Sequence, residues 1–324
     1  ILSVLFTIGR ITNESDLAIL PSTNIVLSIP AFFFTTIIML LTFIYSGMLI
    51  HKNRSANVHQ ITDVTATDNW VFLTSKVMAI LKMQIVLLFL LMITGICIQL
   101  YNNYYNFEID LYIFHLFVVQ FSGLIIWAFV SVFVHNLLKN SYLGIFILIL
   151  IWIGVSGMHQ IGIDTKLLLF NFEEPLQYSD INGYGNALKP FLIVKLYWFL
   201  FAVLLLICSY LIWFRGFYES FKDRFSQIKT YFNSTVKIAS IITIIGFMSF
   251  GFVIYKGENQ LYKNQNIKPE TALASFKKEF SAFSKIKNQP KIVAVDLNLD
   301  IYPEQRNFKA NGSYILVNKS DQKI

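Results

Sequence analysis

Residues 25–50 read IVLSIPAFFFTTIIMLLTFIYSGMLI, twenty-six consecutive side chains without an Asp, Glu, Lys or Arg. At about 1.5 Å of rise per residue, a helix of that length exceeds the roughly 30 Å hydrocarbon core of a bilayer, and no water-soluble helix needs so long an uncharged run. Five more apolar stretches follow, at 77–100, 111–134, 142–160, 191–214 and 238–255. Of the 324 residues, 55% are hydrophobic, only 14% are charged and 31 are Phe, a balance that a soluble domain of this size does not carry. The reading is an all-α polytopic membrane bundle of six transmembrane helices over residues 25–256. Residues 1–24 form an external N-terminal segment before it.

Orientation follows from the basic residues, because Lys and Arg near span ends are retained on the cytoplasmic side. The loops 51–76, 135–141 and 215–237 carry nine of them, Lys52, Arg54, Lys76, Lys139, Arg215, Lys222, Arg224, Lys229 and Lys237. Of the alternate loops, 101–110 carries none and 161–190 only Lys166 and Lys189, against acidic Asp164, Glu173, Glu174 and Asp180. Both the start and the tail are therefore expected outside, with the C-terminal tail extracytoplasmic. Six spans do not deliver an outward start by themselves, and the chain opens on Ile1 without a signal peptide. An earlier span upstream is expected.

Beyond the last span the pattern changes period. In 270–287, Leu273, Phe276, Phe280 and Phe283 recur at intervals of three or four, the mark of an amphipathic helix inside an extracytoplasmic linker at 257–290. Residues 291–300 then alternate, with Val293, Val295, Leu297 and Leu299 opposite Ala294, Asp296, Asn298 and Asp300. Phe308, Ala310, Gly312, Tyr314 and Leu316 repeat the alternation after a turn at Pro303. This predicts a β-hairpin with one buried face. Two strands are marginal alone, so 291–324 reads as the start of a β-domain that continues further.

Several chemistries find no motif. The histidines never form H-E-x-x-H, no phosphate-binding G-x-x-x-x-G-K-[ST] occurs, and no Ser lies in a nucleophile elbow. No enzyme is read within this chain. Cys97 and Cys208 both fall inside spans, which predicts small core residues and no disulfide. The formal charge of +7 is mostly the tail, where from Lys256 onward twelve basic residues face seven acidic ones, and no nucleic-acid module accompanies it.

Polar residues inside the spans are candidates because hydrocarbon penalises them unless they face protein or water. In the third span, Gln120, Gly123, Trp127 and Ser131 fall on one helical face, and His115 and Ser122 on another. His115, Gln120 and Ser131 are candidate pathway-lining residues; interhelical hydrogen bonding is the alternative. Lys82 and Lys195 lie near span ends, where their stems can carry the ammonium to the interface. The segment 171–186 reads as a short re-entrant or interfacial hairpin.

The loop 51–76, HKNRSANVHQITDVTATDNWVFLTSK, is too long and polar for a simple turn. It predicts one or two helical turns in 57–64, a cap at Thr67 or Asp68, and an interfacial Trp70 entering the next span. VHQITDVTATDNWVFLTSKVMAILK resembles the coupling segment of ABC transporter permeases of the exporter type. There a short helix, a turn, an aromatic residue and a Lys lead into a span, and Arg54, Gln60, Ile61, Thr65, Thr67, Trp70 and Lys76 occupy the matching places. Val64 lies on the same short helix. Asp68 and Asn69 stand where the family has Pro.

The resemblance extends through YNFEIDLYIFHLFVVQFSGLIIWAFVSVFVHNLLKNSYLG and FNFEEPLQYSDINGYG, which are similar to a bacterial subgroup whose permease-like spans are fused to a zinc aminopeptidase of the alanyl and leucyl type. VDLNLDIYPEQRNFKANGSYILVNKSDQKI resembles the opening hairpin of that peptidase's N-terminal β-domain. The implication is an exporter permease in the bacterial inner membrane, driven by a separate ABC ATPase subunit on its cytoplasmic face. The alternative is a membrane anchor for the peptidase, with no transport. Zinc is implied only for a downstream domain, and membrane lipids and a second copy in a dimer complete the expected partners.

Overall fold

The computed structural model describes residues 21–65, 67–163, 165–171, 176, 178–213, 228, 231–264, 269–281, 290–302 and 307–319. The chain divides into two compact units, 1–259 and 260–324. Six helices of the first unit are long and apolar enough to cross a membrane.

The first, α1 (Thr23–Ser55), is sorted around its axis. Phe33, Ile37, Leu41, Ile44 and Met48 are exposed at helical spacing, whereas Ile38, Met39, Thr42, Phe43 and Ser46 are buried. Neighbouring helices cover the second set and leave the first facing outward, the division expected of a span at the rim of a bundle in lipid. Past Ser55 the chain turns through Asn57, in the left-handed region at φ 56°. It makes the six-residue α2 (His59–Val64) before α3 (Asn69–Tyr101). Asp68 caps α3 by accepting from the Trp70 amide at 3.4 Å.

The third span combines α4 (Ile109–Phe114), a π-helical turn (His115–Gln120) and α5 (Phe121–Leu137). It is the centre of the bundle: 61% of its membrane-length window is enclosed, against 11–33% for the other spans. One of its faces contributes Leu124, Trp127 and Val130 to a core shared with Ile38, Phe43, Leu88 and Leu148. The other contributes Ile126, Phe129 and Val132 to a core shared with Leu73, Ile80, Trp198 and Leu206.

α6 (Ser141–Gln160) is capped by Asn140, whose Oδ1 accepts from the Tyr142 amide at 2.9 Å. A non-helical segment then packs against the bundle, setting the Phe170 ring edge-on to Trp127 and Trp198 at 5.1 and 5.0 Å. The expected hairpin at 171–186 is seen in part. Ser179 and Gly183 form an antiparallel bridge, with Gly183 and Gly185 at positive φ. Its Glu173 and Glu174 lie outside the described residues. A 3₁₀ turn leads into α7 (Leu188–Leu211), and α8 (Ser234–Asn264) holds the sixth membrane-length helix in Ser234–Glu258. Of the basic loop 215–237, most falls outside the described residues, as do residues 1–20 of the N-terminal segment.

Two expectations need correction. Cys97 and Cys208 are free, as read, but both lie exposed on helix surfaces and not in the core; a thiol small and apolar enough for a core is equally at home facing lipid tails. Lys195 does not reach the interface: it is only 4% exposed and donates to Asn171 Oδ1 at 2.7 Å. A protein acceptor held within reach removes the need for the stem to extend toward water.

In the second unit, α9 (Pro269–Phe280) carries Leu273, Phe276 and Phe280 on its exposed surface; Phe283 lies outside the described residues. β1 (Lys291–Tyr302) and β2 (Asn307–Val317) pair antiparallel. Val295, Leu297, Leu299 and Ile301 lie opposite Tyr314, Gly312, Ala310 and Phe308, while Asp296, Asn298 and Asp300 lie opposite Ser313, Asn311 and Lys309. The alternation is as read, apart from an irregularity between Ile292 and Ala294. The buried face is not: every residue of both strands is exposed, because two strands have no third layer to cover them.

Candidate functional site

Two sets of residues in the first unit hold the candidates. The first is α2. Its Ile61 and Val64 are 73% and 85% exposed, with Gln60 exposed beside them. Thr65 closes the helix by donating its hydroxyl to the Thr62 carbonyl at 2.7 Å, and Arg54 in the last turn of α1 interacts electrostatically with Asp63. Trp70 sets its ring edge-on to Tyr210 of α7 at 5.8 Å. A short helix is thus tied to its neighbours near its C-terminal end while its apolar pair stays exposed. Thr67 lies two residues before the start of α3.

The second set is a seam of hydrogen bonds along the inner face of α1. Near its start, Gln99 donates to the Thr23 hydroxyl and to the Pro21 carbonyl, both at 3.2 Å, and accepts from Tyr112 at 2.9 Å. Further along, Thr35 donates to Gln120 Oε1 at 3.0 Å. Gln84 of α3 donates to Thr42 at 3.0 Å and to the Leu124 carbonyl at 3.1 Å. The Ser46 and Ser131 hydroxyls bond directly, and His135 Nε2 donates to the Phe43 carbonyl at 3.0 Å. Asn136 ties α5 to α7 through the Ser209 carbonyl and hydroxyl at 2.9 and 3.0 Å.

The π-helical turn rearranges the faces expected for the third span. Its wider turn brings residues five apart into register, so Gln120 Nε2 meets His115 Nε2 at 3.4 Å, and His115 Nδ1 meets the Tyr184 hydroxyl at 2.8 Å. With Gln120 accepting from Thr35, its amide donates to His115 Nε2, which leaves the imidazole proton on Nδ1 to donate to Tyr184. His115 therefore shares a network with Gln120 and not with Ser122, whose hydroxyl returns to the Val119 carbonyl at 2.7 Å. Burial, and secondarily Tyr178, pushes the Tyr184 phenol up to about 12.

Of the three span residues singled out from the sequence, Gln120 and Ser131 each bond a side chain of α1, and His115 bonds the segment before α7. Thr35, Thr42, Gln84, Gln99, His135 and Asn171 belong to the same kind of contact and were not foreseen. The spacing of Thr35, Thr42 and Ser46, seven and then four residues apart, is the sequence signal that marks the seam. Asn171, at φ 49°, joins Lys195 to the Gly123 carbonyl, to which it donates at 3.0 Å.

Among the described residues no three His, Cys, Asp or Glu side chains gather into a metal-ligating group. The chain matches no family model, no curated protein and no solved structure.

Proposed function

We propose that this chain is the membrane-spanning permease part of an ABC-type exporter, moved by a separate ATPase and fused to an extracytoplasmic aminopeptidase-like domain. The observation that carries the reading is α2. Between two membrane-length helices, on a loop rich in basic residues, a six-residue helix presents Ile61 and Val64 outward. An exposed apolar pair flanked by polar residues is what a groove on a partner protein recognises. In this reading the ATPase grips Gln60, Ile61 and Val64 on the cytoplasmic face of the bacterial inner membrane, and the spans rearrange as it closes.

A second reading, that the spans anchor a zinc peptidase without transporting anything, is favoured by the seam. Gln120 and Ser131, two of the polar side chains offered as a pathway, each bond a neighbouring helix. Such bonds hold a bundle together.

The experiment is affinity purification of the full-length protein from its native membrane, wild type beside Ile61→Asp/Val64→Asp. An ATPase subunit that accompanies the wild type in stoichiometric amount and is lost with the double variant supports the permease. Equal recovery with both proteins overturns α2 as the dock. Peptidase activity without any ATPase favours the anchor.

A further inference from the structure

The end of α1 nearest α2 is held to the bundle through one side chain that packing alone does not account for. His135 is 0% exposed, in the last turn of α5. Its Nε2 donates to the Phe43 carbonyl, which also accepts from the Ser46 hydroxyl at 3.0 Å. One turn along α5, Ser131 bonds that same Ser46. The ring occupies a slot between two helices that only glycine leaves open: a Cβ at Gly47 of α1 would come within 2.8 Å of its Cε1, and one at Gly144 of α6 closer still. His51, one turn beyond Gly47 toward α2, sets its ring edge-on at 6.1 Å.

A leucine would fill this slot without burying polar atoms. The imidazole instead places Nδ1 out of water with no hydrogen-bond partner, a cost that is difficult to justify by stability. An ionisable residue in the interior of a membrane bundle is a functional candidate for that reason. What the imidazole adds, and leucine cannot, is a directed bond to the α1 main chain. From that bond α1 runs as unbroken helix to Ser55, then through the Asn57 turn into α2.

We propose that His135 is a positioning residue that bolts the end of α1 to α5 and α6, so that a force applied to α2 moves these three helix ends as one body. The proposal rests on the reading of α2 as the ATPase dock and names the residue that carries the load from it. His51 and Gly47 receive the ring from α1, Gly144 from α6, and the Phe43 carbonyl fixes its height.

The test uses the full-length protein in lipid nanodiscs with its co-purified ATPase. Spin labels are placed at Met48 on α1 and Tyr142 at the start of α6, which are 63% and 83% exposed. In the wild type, the Met48 to Tyr142 distance stays narrow and changes by less than the about 2 Å of an ordinary helix shift when nucleotide is trapped on the ATPase. With His135→Leu the distribution broadens or shifts, and with His135→Gln, whose amide can still donate to the Phe43 carbonyl, it narrows again. ATPase recovery is the same for all three.

A wild-type distance that changes by more than that on nucleotide trapping overturns the bolt, and so does a His135→Leu distribution as narrow as the wild type. Should His135→Leu fail to fold, His135→Ala, which also lacks the donor, takes its place with the same two outcomes. If no ATPase accompanies the wild type, the dock fails by itself. The bolt is then judged from the same widths without nucleotide, narrow for the wild type and wide for His135→Leu if it stands.

Discussion

Thr35 of the first span donates its hydroxyl to Gln120 of the third at 3.0 Å, and Gln120 in turn reaches His115 through a π-helical turn. The bond is a joint between two helices that lipid would otherwise separate. Removing either partner alone leaves the other polar group to find a new one inside hydrocarbon. For Thr35→Val and Gln120→Leu combined in a double-mutant cycle, the expected coupling is about 0.6 kcal/mol, the average for interhelical hydrogen bonds in membranes, and at most about 1.7 kcal/mol. Reversible unfolding of the four proteins in detergent measures it. A coupling indistinguishable from zero means that each group is satisfied without the other.

Tyr184 gives a pH window. Its phenol is held above its ordinary value of 10.0, up to about 12, chiefly by burial. The folded state thus prefers the protonated form more strongly than the unfolded state does. That preference is fully present below the unfolded value and is lost as pH rises through the folded one. Bundle stability is expected to fall between these two values, with a component that Tyr184→Phe removes. The check is thermal unfolding across this range. The same slope in the Phe variant would assign the alkaline loss to other groups.

Asn171 serves two purposes that substitution can separate. It sits at φ 49°, where most side chains are strained, and its amide bridges Lys195 and the Gly123 carbonyl. Asn171→Gly keeps the backbone freedom and loses both bonds, whereas Asn171→Ala loses both bonds and adds the strain. The alanine variant is expected to be less stable than the glycine variant by about 1 kcal/mol, and both less stable than the wild type. Equal stability of the two variants would mean that the turn relaxes when the amide is removed.

These contacts mark where the sequence was readable and where it was not. The six spans were legible because bilayer thickness imposes a length that no soluble helix requires, and each expected stretch has its membrane-length helix. The short helix at 59–64 falls within the one or two turns expected over 57–64, and the Asp68 cap was legible from local capping chemistry. The meeting of His115 with Gln120 was not, because helical faces were assigned at 3.6 residues per turn and nothing local marks a π-helical turn. His135 was set in a loop at 135–141, yet the helix continues to Leu137 and takes the imidazole into the interior. Lys195 followed the ordinary expectation for a span-end lysine; its acceptor, Asn171, is distant in sequence and approaches only when the segment before α7 packs against the bundle.

The two glycines around His135 provide the last prediction, and it separates overpacking from loss of a bond. Gly144→Ala places a methyl group where the imidazole already lies, and α5 and α6 must part to admit it. Inserting a methyl group into a filled core costs about 1–3 kcal/mol. In a background of His135→Ala, which empties the slot, the same substitution should cost little or become favourable. Gly47→Ala should keep part of its cost in that background, since its added carbon meets the Ser141 hydroxyl of α6 as well as the imidazole. Unfolding midpoints of the single and double variants decide the matter. If Gly144→Ala is as harmful without the imidazole as with it, the glycine is required by helix contact alone and the ring is not what fills the slot.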